Sequence, residues 1–191
     1  MHTKRNVIFH LYCELITFQI SFISFSRYLD NNEISVIKEN AFVNLTGVLN
    51  LHLYKNYITV LDPQMTRSMP NLQELRLQDN KIKTIEENTF VNLTNLYYLS
   101  LGNNVISVIK ENAFVNLPGL QYLGLSSNPL ICNCSILPFW TWLTKRPSLG
   151  RNAMCSNGTS VSDISSSAFD KCNGMFLPLL HNLRYVALNI I

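Results

Sequence analysis

Leu72-Gln73-Glu74-Leu75-Arg76-Leu77-Gln78-Asp79-Asn80-Lys81-Ile82-Lys83-Thr84-Ile85, closed by Phe90 and Leu93, decides how this chain folds. Its frame is Leu-x-x-Leu-x-Leu-x-x-Asn-x-Ile-x-x-Ile, with Phe five and Leu eight residues further on. A second copy starts at Leu96 and the head of a third at Leu120. Asn80, Asn104 and Asn128 are spaced 24 residues apart, and the same step taken backwards reaches Asn56 and Asn32. Each of these asparagines has leucine three residues before it (Leu29, Leu53, Leu77, Leu101, Leu125) and Ile or Leu two after it. A fixed period of this kind marks units that stack, because one unit alone buries too little apolar surface.

Within one unit, the two leucines of Leu-x-Leu share a face of a short strand, since side chains alternate with period two. The residues between them face outwards and are mostly polar. Asparagine ends the strand, where its amide can pair backbone groups of the turn that would otherwise be buried unpaired. Ile at plus two, Ile or Leu at plus five and Phe at plus ten (Phe42, Phe90, Phe114) complete the apolar wall as the chain returns.

These residues resemble the leucine-rich repeat family, whose period the 24-residue spacing matches. The fold expected is an α/β solenoid, a leucine-rich repeat horseshoe with short parallel strands on its concave face. We count five repeats over residues 28–127. The second repeat carries Thr66 where phenylalanine is expected, and Asp62-Pro63 should rearrange its convex side, since proline fixes φ and removes a donor. Residues Ile34 to Leu45 are identical to Ile106 to Leu117, three periods on, so the array grew by internal duplication and this segment is framework.

After Asn128-Pro129-Leu130 the pattern changes to Cys132-x-Cys134, Trp140-x-Trp142-Leu143, Cys155 and Cys172. Residues 128–172 resemble the cysteine-rich C-terminal cap of extracellular leucine-rich repeat proteins. That resemblance implies Cys132 paired with Cys155 and Cys134 with Cys172, although four cysteines allow three connectivities from sequence alone. It also implies a disulfide-bonded lid in which Trp140 and Trp142 sit on a short helix and cover the last repeat. Zinc is the competing reading; it lacks paired C-x-x-C spacing and a nearby histidine.

Residues 1–27 stay open between two readings. Met1-His2-Thr3-Lys4-Arg5 is basic and Val7 to Phe25 mostly apolar, ending in Ser24-Phe25-Ser26, as in a secretion signal. His10, Glu14 and Gln19 interrupt the run, as in a truncated start, and the inward positions Ser24 and Arg27 break the aliphatic pattern of later repeats. Cys13 is either removed with such a signal or a free thiol. The tail, residues 173–191, is apolar but short for a membrane span and is left unassigned.

The 191 residues give room for one solenoid with a small cap. Hydrophobic residues make up 47% and charged residues 14%, against an average near 25% for the latter, so the chain has a core to bury. A net charge of +3 without a basic, aromatic-interleaved stripe excludes nucleic acid as the expected partner. Paired cysteines and four sequons, at Asn44, Asn92, Asn133 and Asn157, indicate an oxidising compartment: secreted or at the cell surface. Asn44 and Asn92 share a phase on the return loop, away from the strands; Asn133 is hemmed in by Cys132 and Cys134.

The outward strand positions form the candidate ligand face: His52, Tyr54, Glu74, Arg76, Gln78, Tyr98, Ser100 and Tyr122. Tyrosine and arginine dominate interface hot spots. Ser100, Gly102 and Gly124 should leave a shallow recess beside Tyr98 and Tyr122, which either stack on each other, contact a ligand, or do both. Enzyme motifs are absent: no nucleophile elbow, no H-E-x-x-H and no phosphate loop. His52 beside Glu74 is better explained as part of a polar ladder than as an acid–base pair. Asp30 and Asp79 are isolated acids, so neither a metal nor a cofactor is expected.

The repeats and cap are similar to those of Slit, Toll-receptor ectodomains and variable lymphocyte receptors. The function this implies is protein recognition at a cell surface or in the matrix, by a fragment or short member of the group. The partner would be a protein ligand, with a membrane reached only through a segment beyond this chain. A structural matrix component of the small-proteoglycan sort is the alternative, and its cysteine layout differs.

Overall fold

The computed structural model describes residues 26–37, 41–42 and 45–172. Five three-residue strands form one parallel sheet: β1 (Ser26–Tyr28), β2 (Asn50–His52), β3 (Glu74–Arg76), β5 (Tyr98–Ser100) and β7 (Tyr122–Gly124). Each residue of β1, β2, β3 and β5 pairs with the one 24 positions later, as in Leu51↔Leu75, Leu75↔Leu99 and Leu99↔Leu123. The sequence period and the coil period are therefore the same, and the architecture is a parallel-strand solenoid of the leucine-rich repeat kind. The expectations for residues 1–25 (Cys13 included), for the tail from Asn173 and for Asn44 fall outside the described residues.

The core is one continuous column. Leu51, Leu75, Leu99 and Leu123 on the strands, and Leu53, Leu77, Leu101 and Leu125 after them, are all buried. Each fully buried leucine stabilises by roughly 1.5–3 kcal/mol. Behind them Phe90 and Phe114 stack at 5.6 Å. A second, smaller sheet lies on the return side, where β4 (Thr84–Ile85) pairs in parallel with β6 (Val108–Ile109); Ile85 and Ile109, two of the plus-five residues, thus sit on strands, which periodicity did not show.

In the second coil the chain departs from its neighbours as Asp62-Pro63 suggests. Pro63 leads into a one-turn helix, α1 (Gln64–Arg67). Thr66 is buried at the phenylalanine position, and its hydroxyl donates towards the carbonyls of Pro63, Thr89 and Val91. Buried Met65 and Met69 supply the missing apolar volume.

The far end is closed by residues that follow Leu130. Disulfides join Cys132 to Cys155 and Cys134 to Cys172. Helix α2 (Leu137–Thr144) carries both tryptophans. Phe139 and Leu143 are buried, and Trp142 packs on Phe114 of the last full coil at 5.5 Å. Trp140 donates from Nε1 to the Ile164 carbonyl and meets Phe169. Asn152, which periodicity gave no reason to single out, closes the sheet edge. Leu53, Leu77 and Leu101 each donate their N–H to a carbonyl of the next strand, whereas Leu125 donates to the Asn152 side chain.

Candidate functional site

The sheet face is positioned by the asparagine column behind it. Asn56, Asn80, Asn104 and Asn128 are buried, and each makes the same four hydrogen bonds. Asn80 donates to the carbonyls of Leu77 and Gln78 in its own coil and of Leu53 in the preceding coil; its Oδ1 accepts from Ile58 N–H. Asn32, in the first described coil, is exposed and among the described residues bonds the carbonyls of Leu29 and Asp30. Just before these asparagines the backbone turns left-handed, at Asn31, Lys55, Asp79, Asn103 and Ser127. The first four of these donate their N–H to the next coil. The rim is thereby fixed from coil to coil.

On this frame the outward side chains form one connected strip. Tyr28 meets His52 edge-on at 4.8 Å, and His52 Nε2 lies 3.2 Å from Glu74 Oε1. Glu74 accepts in turn from Arg76 Nε. The Arg76 guanidinium lies over the Tyr98 ring at 5.1 Å, and Tyr98 stacks on Tyr122 at 4.4 Å with planes only 7° apart. The hydrogen bond to Glu74 raises the Arg76 pKa further, so its charge is fixed. Burial, then the neighbouring Tyr122, pushes the Tyr98 hydroxyl up. At the strip's edge Tyr54 donates to Asp30, and that bond raises the Tyr54 pKa. Desolvation opposes the effect on Asp30, but the bonds from Tyr54 and Asn31 outweigh it and lower its carboxyl.

The expected recess beside the tyrosines is absent. Ser100 is only 8% exposed, and Gly102 and Gly124 are buried. The Tyr122 ring lies over Gly124, where a Cβ would sit 3.0 Å from its hydroxyl, and the Ser126 hydroxyl covers Gly102 in the same way. Small residues here admit the neighbouring side chains and leave no hollow. Tyr122 stays 41% exposed, so the face presents a flat aromatic ledge. Gln78 flanks it with its Oε1 buried and unpaired.

Chemically, this strip suits binding. Glu74 Oε1 is engaged by His52 and Arg76 together. No cluster of three metal-ligating side chains occurs among the described residues, and no helix there is long and apolar enough to cross a membrane. Of the sequons, Asn92, Asn133 and Asn157 are exposed. Asn92 lies on the return side, away from the sheet; Asn133 Oδ1 accepts from Ser135 N–H and Asn157 Oδ1 from Thr159 N–H.

A family model described as leucine rich repeat matches residues 28–82 and 70–130, together more than half of the chain. A search of curated proteins found no match.

Proposed function

The chain belongs to the leucine-rich repeat family, and from that premise we propose that it is an extracellular recognition module that binds a protein ligand on the face of its five-stranded sheet. Leucine-rich repeats generally mediate protein–protein interaction and are typically not catalytic. The observation that carries the reading is the strip His52–Glu74–Arg76–Tyr98–Tyr122, whose members hold one another in place across four adjacent strands. Side chains fixed before a partner arrives lose little entropy when it binds. Tyr54, Gln78 and Ser100 border the strip and belong to the same surface.

Two disulfides support an oxidising compartment, outside the cell or on its surface, and the cysteine-rich end resembles the caps of extracellular leucine-rich repeat proteins such as Slit, Toll-receptor ectodomains and variable lymphocyte receptors. Asn92 and Asn157, together with Asn44 and Asn133, are proposed as glycan acceptors; endoglycosidase treatment of secreted protein should then lower its mass. To test recognition, the purified chain is screened against an array of secreted and cell-surface proteins. Hits should vanish for a folded Arg76→Ala/Tyr98→Ala double variant, and hits that bind it unchanged rule this face out.

A further inference from the structure

A guanidinium carries five N–H donors in one plane, and Arg76 uses only part of that set. Its Nε is taken by Glu74, and one face of the group rests on Tyr98, which is itself backed by Tyr122. The same Glu74 oxygen, Oε1, is also met by His52 Nε2, and Glu74 is 14% exposed, whereas the Arg76 side chain is 36% exposed. Neither Nη has a hydrogen-bond partner among the described residues. The orientation of the group is thus set by its Nε and its face, while the Nη edge, which binds a carboxylate end-on, has nothing to bind among the described residues.

We infer that the Nη edge of Arg76 is a preorganised fork for one carboxylate, supplied by an acidic side chain of the protein ligand. This deepens the recognition reading above and rests on it. Two parallel N–H···O bonds match the planar geometry of a carboxylate. A dianionic phosphate fits less well, because Glu74 and Asp30 already place negative charge on this part of the face. Since Glu74 cancels most of the long-range field of Arg76, the attraction acts at contact, through geometry, and changes little with ionic strength.

The test is a random-peptide display selection on the wild-type chain, followed by affinity measurements on variants. Selected peptides should be enriched in Asp or Glu and should lose about tenfold or more in affinity to Arg76→Lys, which keeps the charge but not the fork. Glu74→Ala should weaken them severalfold by releasing the guanidinium; simple Coulomb attraction predicts the opposite sign, so tighter binding overturns the proposal. Replacing the selected acid by phosphoserine should also weaken binding, and equal or tighter binding overturns the preference for carboxylate. Peptides that are lost on Tyr98→Ala or Tyr122→Ala yet show no acid enrichment, or ignore Arg76→Lys, overturn the fork and leave sheet-face recognition standing. Peptides that ignore all these substitutions, or an empty selection, overturn the recognition reading and the fork with it.

Discussion

Asn80 illustrates how one side chain can hold two coils. Its amide satisfies Leu53, Leu77 and Gln78 carbonyls and the Ile58 N–H in a site that is 2% exposed. Asn80→Ala would leave several buried backbone groups without a partner, at about 1–3 kcal/mol for each group that water cannot reach. We expect a loss of roughly 3 kcal/mol or more in urea unfolding, against under about 1 kcal/mol for Asn32→Ala, whose site is exposed. Equal losses would mean that the column does not hold the coils together. Tyr98 makes a different prediction. Its folded pKa is raised, so folding favours the neutral hydroxyl. The stabilisation is complete below the unfolded value of about 10 and is lost as pH climbs through the raised folded value. Tyr98→Phe should therefore flatten the decline in melting temperature above that pH, and an unchanged alkaline limb would contradict the shift.

At the scale of elements, the closing segment is the place where stability is concentrated in covalent form. The bridges span sequence separations of 23 and 38 residues, and losing either should cost about 3–4 kcal/mol on the chain-entropy account. The consequence is directional. Cys134→Ser/Cys172→Ser should loosen α2 and Asn152 first, so that amide exchange accelerates at Leu125, whose N–H depends on Asn152, before it does at Leu75. Uniform acceleration along the array would contradict this order. Much of this element-level organisation was legible in the sequence, because a period of 24 fixes strand register and the asparagine column at once. The lid and its cysteine pairing were implied by resemblance to a known cap, since spacing alone left three connectivities open. What periodicity could not supply were the exceptions. Asn152 acts once, at an end, so no repeat announces it. Met65 and Met69 fill the gap beside Thr66 from positions outside the pattern. The recess predicted beside Gly124 and Ser100 failed because residue size says how much room a side chain leaves, and not which neighbour leans into it. Alternation along each strand places the strip's members at outward positions, but their mutual contacts depend on rotamers that no spacing encodes.

For the molecule as a whole, a solenoid has no single centre: each coil is stabilised by its two neighbours, and total stability is roughly a sum of coil and interface contributions. Its weakest described interface can be named from the sheet register. Along the inward column, Leu51, Leu75, Leu99 and Leu123 align, and the residue that pairs with Leu51 in β1 is Arg27. Arg27 is half-buried, and among the described residues its guanidinium donates to the Ser26 carbonyl. A charged group here replaces the apolar contact that every later described coil makes, whereas the segment after β7 is closed by two disulfides and holds the Leu125 N–H through Asn152. Native-state exchange should consequently be slowest at Leu75 and Leu99, intermediate at Leu123 and fastest at Leu29, whose N–H bonds the His52 carbonyl. Arg27→Leu extends the aliphatic column by one rung. It should raise stability by about 1 kcal/mol, part of the value of a fully buried leucine, and slow exchange at Leu29 more than at Leu99. If Arg27→Leu left the Leu29 rate unchanged, the first described coil would owe its stability to something other than the aliphatic column.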